Sequence, residues 1–294
     1  MQNRKQTEVI SFLIYFLASV SALAQKTLTG HVIDQKGSPV PYANVHNVSR
    51  SHGVIADSSG AFVYYNKENS DTLIVSALGY TSERIVIGSD TTSKIVLKEK
   101  SIAINEVKVS NRRVYKVNTF GINKNKPDGK HSNCTQNNLE LSFLVKSEPV
   151  SDNSYIDKVV FFIENDRFYN TPFRVKVYSN KSNLPNELVI HDNIVVHALN
   201  PGWAVVDLRP YAIKTPSDGF HIAMEWLYAD SDDLKDVQGN KICFGQSIGM
   251  AKGLKEILSC TRVNGGSWSP CSFYQLPNGD IYNPMIRVVV NSYE

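Results

Sequence analysis

Gly245-Gln246-Ser247-Ile248-Gly249 has the G-x-S-x-G spacing that presents a serine nucleophile for acyl transfer. That chemistry needs a sharp turn from strand to helix under the serine and a histidine further along the chain to take its proton. The last histidine is His221, before Ser247, and the surrounding residues alternate like a strand. A glycine-rich turn is the better account, and a Ser247 hydrolase ranks third among the readings below. Asp230, Asp232, Asp233 and Asp236 crowd one loop and could offer oxygens to calcium, the one cofactor the chain suggests. The EF-hand order is absent, since position 234 is leucine, so a solvated acidic loop is the plainer account. His191, His197 and His221 fall at strand positions without mutual spacing and read as surface or core residues. The four cysteines, Cys134, Cys243, Cys260 and Cys271, allow three pairings. Cys260 and Cys271 flank the glycine-rich stretch Thr261 to Pro270 and could face each other across a hairpin, so a disulfide is expected there; four buried thiols is the competing reading. No C-x-x-C pair is present, which argues against structural zinc. Finally, Trp203, Trp268, Tyr274 and Tyr282 sit in or beside loops, where aromatic faces can stack on sugar rings. Trp203 follows Gly202 and begins an apolar run, which also suits a core position.

The elements that must position these residues are strands. From Leu28 to Ile33, from Tyr42 to Val48 and from Ala61 to Tyr65, apolar residues alternate with polar ones at the period of a half-buried strand. The stretch Asp34 to Pro41, with Gly37 and two prolines, cannot continue a helix or a central strand. Asp57-Ser58-Ser59-Gly60 reads as a hairpin connection. Thr72–Ala77, Arg84–Ile87 and Lys94–Leu97 add three short strands, and this rhythm predicts a small sandwich. From Leu139 the alternation resumes with longer strands. Phe173, Val175 and Val177 alternate with Arg174, Lys176 and Tyr178, and Phe220, Ile222, Met224 and Trp226 alternate with His221, Ala223, Glu225 and Leu227. Only Ala251–Leu258 could form a short helix. The class is all-β, with a larger jelly-roll-like sandwich of eight or more strands after the first one.

The order Gly30-x-Val32-x-Asp34, Pro39-x-Pro41-Tyr42-Ala43-Asn44-Val45, Gly53, Asp57-x-x-Gly60-x-Phe62, Asp71-Thr72-Leu73 and Gly79-Tyr80 resembles the carboxypeptidase-like regulatory domain, over residues 26 to 100. The resemblance implies a transthyretin-like (prealbumin-like) sandwich of seven strands, widespread at the N-termini of exported and outer-membrane proteins of Gram-negative bacteria. It implies no peptidase: no histidine is followed three residues later by glutamate, so the paired zinc ligands of a metallocarboxypeptidase are missing. The family often precedes the plug of TonB-dependent receptors, and Asn105-Glu106-Val107-Lys108-Val109 looks like the short strand found there. The roughly 180 residues that follow are too few for a plug and a large barrel.

Arg4 and Lys5, an apolar run from Val9 to Val20 and Ser21-Ala22-Leu23-Ala24 form a signal peptide over residues 1–24, with cleavage expected after Ala24. The apolar run is shorter than a spanning helix needs, so no transmembrane segment is expected after cleavage. Residues 25–110 form the regulatory-like domain, 111–131 a basic linker of net charge +5, and 132–294 the second sandwich. A total net charge of +3 in an exported chain does not point to nucleic acid. The expectation is an exported, non-catalytic cell-envelope protein, periplasmic, outer-membrane-associated or extracellular, that binds a glycan or an envelope protein. A structural docking protein without a ligand site is the second reading.

Overall fold

The computed structural model describes residues 26–49, 52–66, 72–87, 92–100, 114–134, 138–146, 153–166, 171–227 and 244–293. The described elements are strands and two single-turn 3-10 segments, so the all-β expectation is met. Among the described residues no helix is long and apolar enough to cross a membrane.

The first sandwich contains β1 (Lys26–Asp34), β2 (Asn44–Asn47), β3 (Gly53–Ile55), β4 (Ala61–Asn66), β5 (Thr72–Ser76), β6 (Tyr80–Thr81), β7 (Glu83–Val86) and β8 (Thr92–Glu99). They make two four-stranded sheets, β4-β1-β8-β6 and β3-β2-β5-β7, which is one strand more than the seven expected. The period-two pattern does the packing. Leu28, Val32, Val45, Phe62, Tyr64, Leu73, Val75 and Leu97 meet between the sheets, all buried. The predicted turns form for local reasons. The Asp34 carboxylate accepts from the Lys36 and Ser38 amides at 2.8 Å each, and Asp57 from the Ser59 and Ala61 amides at 2.7 and 3.0 Å. Gly60 takes φ +78°, and a Cβ there would lie 2.4 Å from the Val32 carbonyl, so only glycine fits.

The second sandwich contains β9 (Val114–Gly121), β10 (Gly129–Asn133), β11 (Leu139–Val145), β12 (Ser154–Ile163), β13 (Phe173–Lys181), β14 (Leu184–Leu188), β15 (Ile194–Val196) and β16 (Gly202–Asp207). It continues with β17 (Phe220–Trp226), β18 (Phe244–Lys252), β19 (Ser259–Val263), β20 (Ser269–Pro270), β21 (Tyr282–Pro284) and β22 (Ile286–Tyr293). One sheet runs β10-β18-β12-β22-β9, with β16 on β12 and β21 on β18. The other runs β14-β13-β17-β11-β19-β20, with β15 on β13. From β11 to β19 the main strands switch between the two sheets, the jelly-roll-like habit. Leu141, Phe143, Ile156, Phe161, Phe173, Ile222, Trp226 and Val288 fill the space between them.

Three expectations need correction. Residues 111–131 are not merely a linker: Val114–Gly121 and Gly129–Asn133 are β9 and β10, paired to β22 and β18. Their basic side chains hid the pattern because β9 is an edge strand whose Lys116 and Val117 face solvent. The short helix does not form, since Ala251 and Lys252 end β18 opposite Asn283 and Tyr282. Cys260 and Cys271 are both free thiols. Cys260 lies opposite Pro270, not Cys271, so one step of register puts the two sulfurs on opposite faces of the sheet. Cys271 joins the core between the sheets, whereas Cys260 shares the outer face with Ser142. Cys134 is the described cysteine that does take part in a disulfide.

Candidate functional site at the junction of the two sandwiches

Alternation on β11, β13, β17 and β19 sends one set of side chains into the core and the other outward. The outward set is charged: Glu140 on β11, Arg174 and Lys176 on β13, Glu225 on β17 and Arg262 on β19. Four of these groups do not face water, and Arg262 is partly exposed. Glu140, Arg174, Lys176 and Glu225 are buried, because the β2–β5 face of the first sandwich lies over this sheet. The Arg174 Nη2 donates to the Tyr42 carbonyl at 2.9 Å, and the Asn138 amide donates to Asn44 Oδ1 at 2.5 Å, joining the two sandwiches.

Buried charges persist only where they are paired and hydrogen-bonded. Glu225 takes Arg174 Nη1 at 2.6 Å, Lys176 Nζ at 2.9 Å and the Asn138 amide at 2.7 Å. Glu140 takes Lys176 Nζ at 3.1 Å, the Tyr178 hydroxyl at 2.9 Å and Arg262 through Nε and Nη2 at 2.9 and 3.0 Å. Burial pushes the Glu225 carboxyl upward, but Arg174 and Lys176 outweigh it and hold the group well below the usual carboxylate range. Burial first, and Glu140 second, lift the Tyr178 phenol well above 10, so it stays neutral.

The junction encloses a cleft of about 270 Å3. Its walls include Glu140, Lys176 and Arg262 from the second sandwich and Asn44, His46 and Ser76 from the first. Trp268 does not line it but touches one of its wall residues, Arg262. Its ring covers the Arg262 guanidinium at 4.6 Å and meets Tyr178 edge-on at 5.4 Å. An indole stacked on a guanidinium beside a polar hollow can hold a sugar ring by its apolar face while the charged groups take its hydroxyls.

Of the expected binding residues, Trp268 alone belongs here. Tyr274 is a core residue packed edge-on against His131 at 5.6 Å, and burial drives its phenol far above the usual range. Trp203 belongs to the other sheet, where Phe162 and the Arg287 guanidinium, 3.7 Å from its ring centre, cover it. Tyr282 lies under Lys252 Nζ at 5.2 Å, also on that sheet. The four aromatics therefore form no common platform. Asp230, Asp232, Asp233 and Asp236 lie outside the described residues. Ser247 sits inside β18, where its hydroxyl donates to Asp166 and lies 2.5 Å from the Ser132 hydroxyl. A strand continues past it where an elbow needs a helix, so the G-x-S-x-G match lacks its structural context.

The charged constellation was missed because alternation marks a strand's polar face as solvent-facing and cannot say that another module covers it. The available signal was opposite charge at facing positions: Arg174 opposite Glu225, and Glu140 opposite Arg262.

Comparison with solved structures finds low likeness. The cysteine protease and lectin-like domains of Cwp84, a surface-layer-associated protein of Clostridium difficile, align over 82% of this chain and 46% of theirs, at 10% identity and a TM-score of 0.41. The chain thus spans about half the length of the Cwp84 chains it matches. A candidate carbohydrate-binding protein from Bacteroides uniformis aligns over 90% of this chain and 98% of its own, at 11% identity and a TM-score of 0.21. A DUF3823 family protein from Bacteroides ovatus aligns over 76% and 97%, at 12% identity and a TM-score of 0.21. No curated protein matches the sequence. The first sandwich is the part whose kinship is defined: residues 28–109 match the CarboxypepD_reg-like domain family.

Proposed function

We propose that the chain is an exported, non-catalytic accessory protein of the cell envelope that binds a glycan at the junction of its two sandwiches. The observation that carries this reading is the cleft with Trp268 stacked on Arg262 at its side. At about 270 Å3 it lies just under the range of drug-sized sites, a size suited to one sugar ring rather than a long chain. Export rests on the leader over residues 1–24, and places the protein in the periplasm, on the outer membrane or outside the cell.

The test is affinity electrophoresis of the chain from Gln25 to Glu294 through gels containing a panel of polysaccharides. At least one polymer is expected to retard the protein, and Trp268→Ala to weaken that retardation about fivefold to tenfold. No retardation on any polymer overturns the glycan reading.

A second reading, docking of an envelope protein, is favoured by the edge of β9. That strand ends its sheet among the described residues, and Val114 and Val117 are exposed on it, Val117 by 61%. An exposed apolar edge strand is a template for an added strand.

A further inference from the structure

The ion network at the junction is unbalanced. Three cations, Arg174, Lys176 and Arg262, share two carboxylates, Glu140 and Glu225. Among the described residues no third carboxylate makes an ion pair with the network. Tyr178 bonds Glu140 and Arg262 but stays neutral, so it does not supply the missing negative charge. The surplus is one positive charge at the wall of the cleft, in a network whose other members are buried and where an unpaired ion is costly.

The position of the surplus can be read from the hydrogen bonds. Arg174 is occupied by Asn193, Glu225 and the Tyr42 carbonyl, and Lys176 lies between the two carboxylates. Arg262 is the least buried of the three, its side chain 18% exposed, and it turns Nε and Nη2 to Glu140 and Tyr178. Its Nη1 has no acceptor among the described residues, and Arg262 lines the cleft. A free guanidinium nitrogen under an indole face presents an anion site beside a stacking surface.

Resting on the glycan reading above, we infer that the sugar held in this cleft is acidic: a uronic acid, whose carboxylate pairs with Arg262 while its ring lies against Trp268. One carboxylate per ring matches the single surplus charge, whereas a doubly charged group would reverse the imbalance.

The experiment compares polygalacturonate with the same polymer after reduction of its carboxyl groups, in affinity gels with the chain from Gln25 to Glu294. Retardation is expected in the acidic polymer and at least tenfold less in the reduced one. It should fall as salt is raised from about 50 to about 500 mM, as a partly exposed ion pair requires. Arg262→Gln should remove the preference. Because Arg262 also bonds Glu140, its near-UV circular dichroism is compared with that of the wild type, and the polymer comparison on the wild type stands independently of the variant. Equal retardation by both forms overturns the acidic-sugar inference and leaves the glycan reading intact. Retardation only by neutral members of the wider panel does the same, and no retardation by any polymer overturns both.

Discussion

His221 and His131 show what burial does to single groups. Burial lowers both imidazoles from an ordinary value near 6.5 to about 4. His221 is wholly buried, with Nδ1 3.3 Å from the Ser142 hydroxyl, and His131 is wedged between the Trp226 and Tyr274 rings. The unfolded chain takes up protons at these positions below about pH 6.5, while the folded chain does so only near pH 4. The unfolded state therefore binds more protons in that window, and stability should fall as pH drops from about 6.5 to about 4, by up to about 3 kcal/mol for each histidine. Urea denaturation at steps across the window checks this, and His221→Gln should flatten part of the slope. Glu225 acts in the same direction but in a lower window, since its folded value is also depressed. Its contribution is present above the usual carboxylate range and is lost only in stronger acid, which leaves the histidine window readable.

Register decides what neighbours can do at the scale of the strand. Ser142 faces Cys260 across β11 and β19, and the next ladder sets Cys260 against Pro270. A hairpin drawn from spacing alone places Cys260 and Cys271 within reach of each other. The observed pairing turns one sulfur to the core and the other to the outer face. Burial pushes both thiols up to about 11, so neither reacts readily in the native protein. Alkylation without reductant should therefore leave both unlabelled in the native state and label both after denaturation, as peptide mass spectrometry would report. A Cys260–Cys271 bridge would leave both unlabelled in either state. The same logic governs β13. Its apolar positions were readable from sequence, and so was the existence of its charged face, but what covers that face is a property of the assembled sheets.

For the molecule as a whole, the junction means that the second sandwich keeps its buried ions only while the first lies over them. Replacing Glu225 by glutamine leaves Arg174 and Lys176 buried with one carboxylate fewer, and should cost about 3–5 kcal/mol. Calorimetry checks this: Glu225→Gln should lower the melting temperature by more than about 6 °C, given the size of the domains. The exposed pair Lys36–Glu99, 3.2 Å apart, serves as a control, and Glu99→Gln should shift the melting temperature by no more than a degree or two.

Local rules determined a large share of this protein. Alternation at period two, glycine at a left-handed turn and aspartate capping its own loop are short-range effects, so the strands, the hairpin at Asp57–Gly60 and the regulatory-like sandwich could be read from the residues in order. The free state of Cys260 and Cys271, the core position of Tyr274 and the strand character of residues 114–121 could not, because each depends on a partner far along the chain. The junction was the least legible part. Arg174, Glu225, Glu140 and Arg262 come from four strands and are sealed by residues far along the chain, such as Tyr42, 132 positions from Arg174. Sequence spacing carries the face on which a side chain lies, but burial of that face is settled only when the two sandwiches meet.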